Sequence, residues 1–201
     1  GVPLIPGTRD PRECGNHFYG WCVPYIHVMR PDMPPESRTA WIAKSVTRIP
    51  ESSIDPRVKN YHWGDFTAGL FEAKDHGFET VILLDADGCV TEGPGFNVFA
   101  IHGDRLVTSD HGALEGISRR TVLEMAAEHG LSTEIRPLPL DEFMAADEVF
   151  LSTSGGGVAP LTRVDDRIFC NGAVGPVASA LHETYWRWIH DPALRSEISY
   201  S

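Results

Sequence analysis

The sequence predicts an α+β fold built on a mixed sheet with helices and hairpins. Strand-like and helix-like segments follow one another without the regular alternation of a doubly wound sheet. Two hairpin signals favour antiparallel pairing: HGD separates FNVFAI from RLVTS, and Asp165-Asp166 lies inside LTRVDDRIF. Helical spacing of apolar residues begins near Trp63, Ser118 and Gly175.

The N-terminal quarter predicts a loop followed by two strands. Residues 1–16 are rich in proline, glycine and charge, which is typical of a loop. The aromatic and β-branched residues of HFYGWCVPYIHVM, residues 17–29, predict a buried strand. The prolines of RPDMPPES end that strand, TAWIAKSVTR is the next one, and IPESSIDP is a long turn.

A helix is predicted from about Trp63 to His76, and Gly77 is suited to end it. Its apolar face consists of Phe66, Leu70, Phe71 and Ala73. The segment TVILLD then predicts a short buried strand, closed by the turn DADG.

The C-terminal half predicts two more helices and the remaining strands. One helix begins at Ser118 and stops at Gly130, and the other runs from about Gly175 to Ile189. Between them, STEIRPLP and EVFLSTS predict strands, and LDEFMAA predicts a helical turn or two.

Composition and charge exclude several classes of protein. The net charge of −11 disfavours a nucleic-acid partner, because phosphate binding requires a basic surface. No apolar run approaches the roughly 20 residues of a membrane helix, and the first residues do not resemble a signal peptide. The four cysteines form no CxxC pair and the histidines no HxH or HExxH pair, so we expect free thiols in a cytoplasmic protein without a metal.

One of only three lysines, Lys59, stands among apolar and aromatic neighbours, whereas the chain has fourteen arginines. Val58 precedes it, and Tyr61 and Trp63 follow. A lysine amine attacks carbonyls only when it is neutral, and burial disfavours the charged form. Lys59 is therefore a candidate nucleophile. The alternative, which the local sequence alone favours, is an exposed lysine at a strand edge.

Three other segments carry groups suited to a ligand. In VTEGPGFN, a Gly-Pro-Gly turn would aim the Glu92 carboxylate at a protonated ring nitrogen, or Glu92 is a surface acid. In GALEGISRRTVLEM, a glycine-rich turn leads into a helix. Ser118 is therefore predicted either to contribute to an anion site or only to cap the helix. In STSGGGVAP, hydroxyls precede three glycines that would let a ligand approach closely, or the segment is a flexible loop.

These four features together favour one ligand. A lysine can trap a carbonyl, two hydroxyl-bearing turns can hold a phosphate, and a carboxylate can pair with a ring nitrogen. Pyridoxal 5′-phosphate has all three groups. The combination is therefore a stronger signal than any of its members.

Four segments resemble the fold-type IV pyridoxal-phosphate transaminases, which include the branched-chain and D-amino acid aminotransferases: VKNYHWGD, LLDADGCVTEGPGFNVF, LEGISRRTVLEMA and FLSTSGGGVAPLTRVDDR. In order and spacing the resemblance extends over nearly the whole chain. The EGxGFN and LxGIxR patterns are specific to that superfamily. VKNxxWGD is most similar to the (R)-selective amine transaminases.

The resemblance implies a role for each matching residue. Lys59 resembles the Schiff-base lysine that also transfers the proton, and Glu92 resembles the partner of the pyridine nitrogen. The phosphate binders at the helix start are matched by Ile117 and Ser118.

The remaining matches lie on the substrate side. Thr153 and Ser154 match the second phosphate-binding and substrate loop, with serine in place of the usual second threonine. Trp63 would line the pocket near the cofactor. Arg9 resembles a mobile-loop arginine that receives a substrate carboxylate.

The resemblance also implies a domain organisation. Family members carry a smaller N-terminal lobe that supplies a phosphate-binding arginine and much of the substrate pocket. Residues 1–16 resemble the interdomain loop and residues 17–201 the large C-terminal cofactor-binding lobe, so the N-terminal lobe is expected in a part of the polypeptide outside this sequence or in a separate chain. Members are usually homodimers, and we expect one here.

The implied reaction moves an amino group from an (R)-amine to a keto acid such as pyruvate. Three other enzyme activities remain open: a D-amino acid aminotransferase, a branched-chain aminotransferase and an aminodeoxychorismate lyase. A non-catalytic alternative is a folded half that binds no cofactor.

Overall fold

A nine-stranded mixed sheet forms the centre of the protein. The structure is a computed structural model that describes residues 2–30, 34–197 and 199. Its strands are β1 (Val2–Pro3), β2 (Cys14–Gly15), β3 (Arg38–Ile42), β4 (Thr80–Ile82), β5 (Glu92–Gly93), β6 (Phe96–His102), β7 (Arg105–Thr108), β8 (Ser132–Ile135), β9 (Glu148–Thr153), β10 (Gly157–Val164) and β11 (Arg167–Ile168). Its helices are α1 (Gly64–Asp75), α2 (Ile117–Met125), α3 (Leu140–Met144) and α4 (Pro176–Ile189).

The strand order of the sheet is β4-β3-β10-β9-β6-β7-β8, with β5 paired to β6 and β11 paired to β10. The pairs β3–β4, β3–β10 and β7–β8 are parallel. The remaining pairs are antiparallel, including the two predicted hairpins β6–β7 and β10–β11. The predicted α+β class with a mixed sheet and hairpins is confirmed.

The central strands are buried on both faces, because their side chains alternate between two apolar layers. On β6, Phe99 and Ile101 pack with α2 and α4, whereas Val98 and Ala100 face the layer that contains Phe143 of α3. The rings of Phe99 and Phe150 of β9 stack with centroids 4.9 Å apart, and both are fully buried. Helix α1 packs on β3 and β4 at one edge.

The helices begin and end close to the predicted residues. Helix α1 ends at Asp75, and Gly77 takes a positive φ of 79° in the turn that follows. Helix α2 passes into a short 3₁₀ turn that ends at Gly130 in the left-handed region. Of the helices that the structure describes, none combines the length and the apolar character needed to cross a membrane.

The segment over residues 17–29 differs from the prediction. No strand forms there, and Phe18, Trp21 and Ile26 are 94%, 80% and 77% exposed. Its end is anchored, since the Val28 N–H donates to the Gly155 carbonyl and Met29 is buried in the core. The prediction of a buried strand is wrong because an apolar segment needs a pairing strand, and none of the described residues provides one.

The N-terminal loop is more ordered than predicted. Strands β1 and β2 form a separate two-stranded sheet, with a 3₁₀ turn at Pro11–Glu13 between them. The prediction that residues 1–16 form an interdomain loop stays a prediction, but this part of the chain is not an irregular loop throughout.

Strand β3 is shorter than the predicted TAWIAKSVTR because a side chain replaces its ladder partner. The carboxylate of Glu72 on α1 accepts hydrogen bonds from the backbone N–H groups of Lys44 and Ser45, at 2.8 and 3.0 Å. The Trp41 indole N–H also donates to it, at 2.7 Å. Burial by itself would raise the pKa of Glu72, but these donors, with the Ser45 hydroxyl, lower it to about 2.

Glu72 therefore predicts a specific dependence of stability on pH. Its folded pKa of about 2 lies below the ordinary value of 4.5, so its contribution is present above pH 4.5 and is lost as the pH falls towards 2. We expect Glu72→Gln to lower the free energy of unfolding by about 1–2 kcal/mol at neutral pH, and by much less near about pH 3. Urea denaturation at both pH values measures this, and an equal loss at both would contradict the assignment.

Candidate active site

One cavity of about 230 Å³ lies where β9 ends and β6 begins. Four segments surround it: the loop before α1, the turn between β5 and β6, the start of α2, and the end of β9. Among its lining residues are all of the predicted site residues except Arg9, namely Lys59, Trp63, Glu92, Ile117, Ser118, Thr153 and Ser154. The structure thus brings together residues that are up to 95 positions apart in the sequence.

Strand pairing explains why two of these segments meet. Strands β6 and β9 are antiparallel, and Asn97 at the start of β6 lies opposite Ser152 near the end of β9. The Asn97 amide also donates to the Leu114 carbonyl, at 2.7 Å, and so holds the loop that leads into α2. The cavity therefore follows from the register of two central strands.

Lys59 lies in an irregular loop rather than in an extended strand. The loop is shaped by Asn60, whose side chain donates to the Val58 carbonyl and accepts the His62 N–H, at 2.7 and 2.9 Å. Lys59, Val58 and Tyr61 are all exposed. The exposure predicted by the alternative interpretation is therefore observed, and the apolar burial that would make the amine neutral is not found within the described residues. Neither a hydrogen bond nor an ion pair joins the Lys59 ammonium to any of them.

Trp63 forms part of the cavity wall next to Lys59. Its ring meets the ring of Phe66 edge to face, with centroids 5.7 Å apart, and is 44% exposed. Phe96, from the start of β6, also lines the cavity. The cavity thus has an aromatic side as well as a polar one.

The turn after Glu92 requires glycine at two positions. A Cβ at Gly93 would lie 2.3 Å from the Val81 carbonyl oxygen and 2.4 Å from the Phe96 ring, which no side chain tolerates. Gly95 has a positive φ of 85°. The two glycines allow the chain to reverse between β5 and β6, and the reversal keeps Glu92 on the cavity wall.

Glu92 is a buried acid held by two donors. It is 6% exposed and accepts hydrogen bonds from the Arg48 guanidinium at 3.1 Å and from the Leu114 N–H at 2.9 Å. Burial raises the pKa of Glu92, and these two donors offset only part of that effect. The alternative of a solvated surface acid is wrong.

Ser118 does not cap α2. Gly116 occupies the N-cap position, without a side-chain hydrogen bond, and Ser118 lies inside the first turn. Its hydroxyl is buried, and the hydroxyl of Tyr185 on α4 lies 3.4 Å from it. The first N–H groups of α2, at Ile117 and Ser118, have no partner within the helix and border the cavity, which is a favourable place for an anion.

The end of β9 contributes Thr153 and Ser154 to the cavity. The three glycines that follow have a different role from the predicted one. Cβ atoms at Gly155, Gly156 and Gly157 would meet Val28, Met29 and Tyr185 at 2.9, 2.5 and 2.3 Å, respectively. These glycines therefore make room for the chain's own residues and not for a ligand.

Arg9 is exposed, lies between β1 and β2, and is not among the residues that line the cavity. Its assignment to a substrate carboxylate stays a prediction. Within the described part of the chain, no three histidine, cysteine or acidic side chains converge as ligands for a metal.

The structure adds polar residues that the sequence does not point to. Arg48 is 6% exposed and bonds to Asp65 at 2.6 Å as well as to Glu92. The hydroxyl of Ser152, in the cavity wall, is buried without a hydrogen-bond partner among the described residues. Arg48 looks in the sequence like any surface arginine after a strand, and Ser152 differs from its hydroxyl neighbours only in its burial.

The protein is thus an α+β protein with a lysine-bearing cavity at the end of the central strands of its mixed sheet. The chain matches the sequence model of the amino-transferase class IV family over residues 20–164. It therefore belongs to the amino-transferase class IV family.

Individual relatives of this chain are named as branched-chain-amino-acid aminotransferases. A branched-chain-amino-acid aminotransferase of Pseudomonas aeruginosa is 37% identical over 118 residues, which are 58% of this chain and 38% of that protein. A relative from Methanocaldococcus jannaschii is 31% identical over 181 residues, which are 88% of this chain and 60% of that protein.

The solved structures to which the fold is similar include further branched-chain amino acid aminotransferases. The fold is similar to that of the branched-chain amino acid aminotransferase from Thermobaculum terrenum in its PLP form, with a TM-score of 0.76 and 32% identity over 84% of this chain and 56% of that one. A second branched-chain amino acid aminotransferase, solved with pyridoxamine 5′-phosphate, gives a TM-score of 0.74 and 27% identity over 81% of this chain and 54% of that one. The chain thus spans little more than half the length of these two solved structures, and 38% and 60% of the two sequence relatives.

Proposed function

We propose that the protein is a transaminase that binds pyridoxal 5′-phosphate in the cavity at the end of β9. The observation that carries the proposal is the single cavity that an amine, a buried carboxylate and two hydroxyl-bearing segments share. Family membership and the PLP and pyridoxamine forms of similar structures support the same cofactor.

The residues present fit this group in charge and in hydrogen-bonding capacity. The start of α2 offers N–H groups and the Ser118 hydroxyl to a phosphate, and Ser154 adds a hydroxyl from the opposite segment. The buried Ser152 hydroxyl has no protein partner among the described residues and is free to bind a ligand atom. The buried Glu92 carboxylate suits a protonated ring nitrogen.

Pyridoxal phosphate supplies an aldehyde that condenses with amines and a ring that takes up electrons from the adjoining carbon. In the proposed mechanism the Lys59 amine would take a proton from the amine-bearing carbon of the donor and give it to the carbon of the cofactor aldehyde, so that Lys59 ends in the protonation state in which it began. Glu92 holds the proton at the ring nitrogen, and Ile117, Ser118 and Ser154 fix the phosphate. Trp63 and Thr153 border the space left for the substrate.

The proposed donor is an (R)-amine and the acceptor a keto acid such as pyruvate. Arg48 is the only arginine among the described lining residues, and Asp65 and Glu92 already occupy its guanidinium. This part of the site therefore offers no free arginine to a carboxylate, which suits a donor without one. The carboxylate of the keto acid would bind to Arg9, as the resemblance implies. The aromatic side formed by Trp63, Phe66 and Phe96 suits an aryl or alkyl group.

A branched-chain amino acid is the second candidate donor, and the names of the relatives favour it. A donor panel with pyruvate and 2-oxoglutarate as acceptors distinguishes the two. We expect turnover of (R)-1-phenylethylamine and little turnover of its (S) enantiomer. Activity confined to L-leucine and L-valine would replace the (R)-amine proposal with the branched-chain one, and activity confined to D-alanine would indicate a D-amino acid aminotransferase.

A cytoplasmic homodimer is also part of the proposal. The exposed apolar residues of the 17–28 segment, among them Phe18, Trp21 and Ile26, favour a partner surface, because single soluble chains seldom expose so contiguous an apolar segment. The covering surface is a second copy or an additional lobe like the one that the resemblance implies. Light scattering of the full-length protein tests self-association, and a mass equal to one chain would contradict the homodimer.

A further inference from the structure

Three charged side chains form a buried row behind the cavity wall. Asp65 of α1 bonds to Nη1 of Arg48 at 2.6 Å, and Nη2 of Arg48 bonds to Glu92 at 3.1 Å. The side chains of Asp65, Arg48 and Glu92 are 10%, 5% and 8% exposed. Glu92 faces the cavity, whereas Asp65 is not among the residues that line it.

The Arg48 guanidinium is fixed on every side. Its Nε donates to the Gly112 carbonyl at 3.2 Å, and its face lies over the Phe66 ring at 4.3 Å. Asp65 is fixed as well, since it accepts the Ile49 N–H at 3.0 Å. A row held this firmly fixes the orientation of the carboxylate at its cavity end.

The row contains more acidic than basic groups. Two carboxylates share one guanidinium in a buried place, where a charge without a partner is costly. Arg119 at the start of α2 donates to the Ser109 carbonyl and interacts electrostatically with Glu92. Other charged or titratable groups near the row include Glu51, which accepts the Gly112 N–H, Tyr185, whose hydroxyl lies 3.4 Å from that of Ser118, and Lys59 and His62 of the exposed loop. Arg48 is thus shared between two acids, and Glu92 keeps acceptor capacity for a cation in the cavity.

Resting on the proposed function, we infer that Asp65 acts through Arg48 as a positioning residue that sets how firmly Glu92 holds a proton on the ring nitrogen of the cofactor. Arg48 orients the Glu92 carboxylate, and its positive charge makes that carboxylate a weaker hydrogen-bond acceptor for any other group. Asp65 competes for the same guanidinium and so leaves Glu92 the stronger acceptor. Asp65 also adds negative charge near the ring nitrogen.

The test is Asp65→Asn in the full-length holoprotein, loaded with pyridoxal phosphate that carries ¹⁵N in the ring. Asparagine keeps an acceptor for the Ile49 N–H but removes the charge. We expect the ring nitrogen to lose its proton at a pH about one unit lower than in the unmodified protein, as followed by its ¹⁵N chemical shift. Asp65→Glu should restore the original value, because it returns the charge.

Glu72→Gln is the matched control, since Glu72 is a hydrogen-bonded acid of the same helix that does not contact the row. It should lower stability and leave the pH at which the ring nitrogen titrates unchanged. If Asp65→Asn does not fold, Asp65→Ser carries the same expectation.

Two results would overturn the inference and are distinguishable. A cofactor bound covalently at Lys59 whose ring nitrogen titrates at the same pH with and without the Asp65 charge overturns this inference alone. A protein that takes up no cofactor overturns the proposed function as well.

Discussion

Replacing Lys59 by alanine is expected to abolish transamination, with kcat lower by about 10²–10⁴-fold or more. Lys59 is the only lysine that borders the cavity within the described chain, so no neighbouring amine is placed to take over the proton transfer. Stability should change little, because the side chain is exposed and makes no hydrogen bond or ion pair with the described residues. Single-turnover kinetics with the preferred donor, together with the absorbance of bound cofactor, measure both the chemical step and cofactor retention.

Lys74→Ala is the matched control for this variant. Lys74 is likewise exposed, and within the described ranges its ammonium donates to the Glu79 carbonyl alone, at 2.8 Å, far along α1 from the cavity. Its replacement should leave kcat unchanged. A Lys59→Ala protein that retains the activity of the Lys74→Ala protein would show that the lysine has no part in the reaction.

Glu92→Gln is expected to lower kcat/KM by about 10²–10³-fold. Glutamine has the same shape but carries no charge, so it cannot hold a proton on a ring nitrogen. It also leaves Arg48 with Asp65 as its only anionic partner. The variant should still form the covalent link at Lys59, because that link depends on the lysine and not on the acid, and its spectrum should show an unprotonated ring.

Glu148→Gln is the matched control for Glu92→Gln. It removes a different buried carboxylate and so shows the effect of lost stability without loss of the acid in the cavity. Glu148 is 6% exposed, as Glu92 is, and accepts the N–H groups of Val177 and Ala178 at 3.0 and 2.9 Å at the start of α4. Its replacement should lower the thermal midpoint without a selective loss of kcat/KM. Equal kinetic losses in the two variants would mean that Glu92 is only structural.

Much of the fold follows from local signals in the sequence. Turn and cap residues such as Gly77, Gly130 and Asp165 mark the ends of helices and the hairpin between β10 and β11, because each takes a positive φ that few residues tolerate. Buried strands such as β6 and β9 are recognisable from their apolar composition.

The differences arise where distant residues decide the outcome. Residues 17–29 have the composition of a strand but lack a pairing strand among the described residues, and β3 stops early because Glu72 of α1 takes its N–H groups. Neither effect is visible in a local window of sequence.

In the candidate site too, residues in local motifs could be predicted from the sequence, whereas residues whose role depends on distant partners could not. Lys59, Glu92, Ser118 and Ser154 could be selected because each lies in a recognisable motif, and all four border one cavity. Arg48, Asp65 and Ser152 could not be selected, because their importance comes from burial and from partners 17 to 44 positions away, or from the absence of a partner among the described residues. The exposure of Lys59 agrees with the alternative that its local sequence favours, although the residue lies in a loop and not at a strand edge.

The most direct test of the cofactor site is to add pyridoxal phosphate to the full-length protein, reduce it with borohydride, and locate the attached pyridoxyl group by peptide mass spectrometry. We predict one modified lysine, Lys59, and a yield that falls when Ser118 and Ser154 are both changed to alanine. A pyridoxyl group on Lys44 or Lys74, or no stable attachment at all, would contradict the claim that this cavity is the cofactor site.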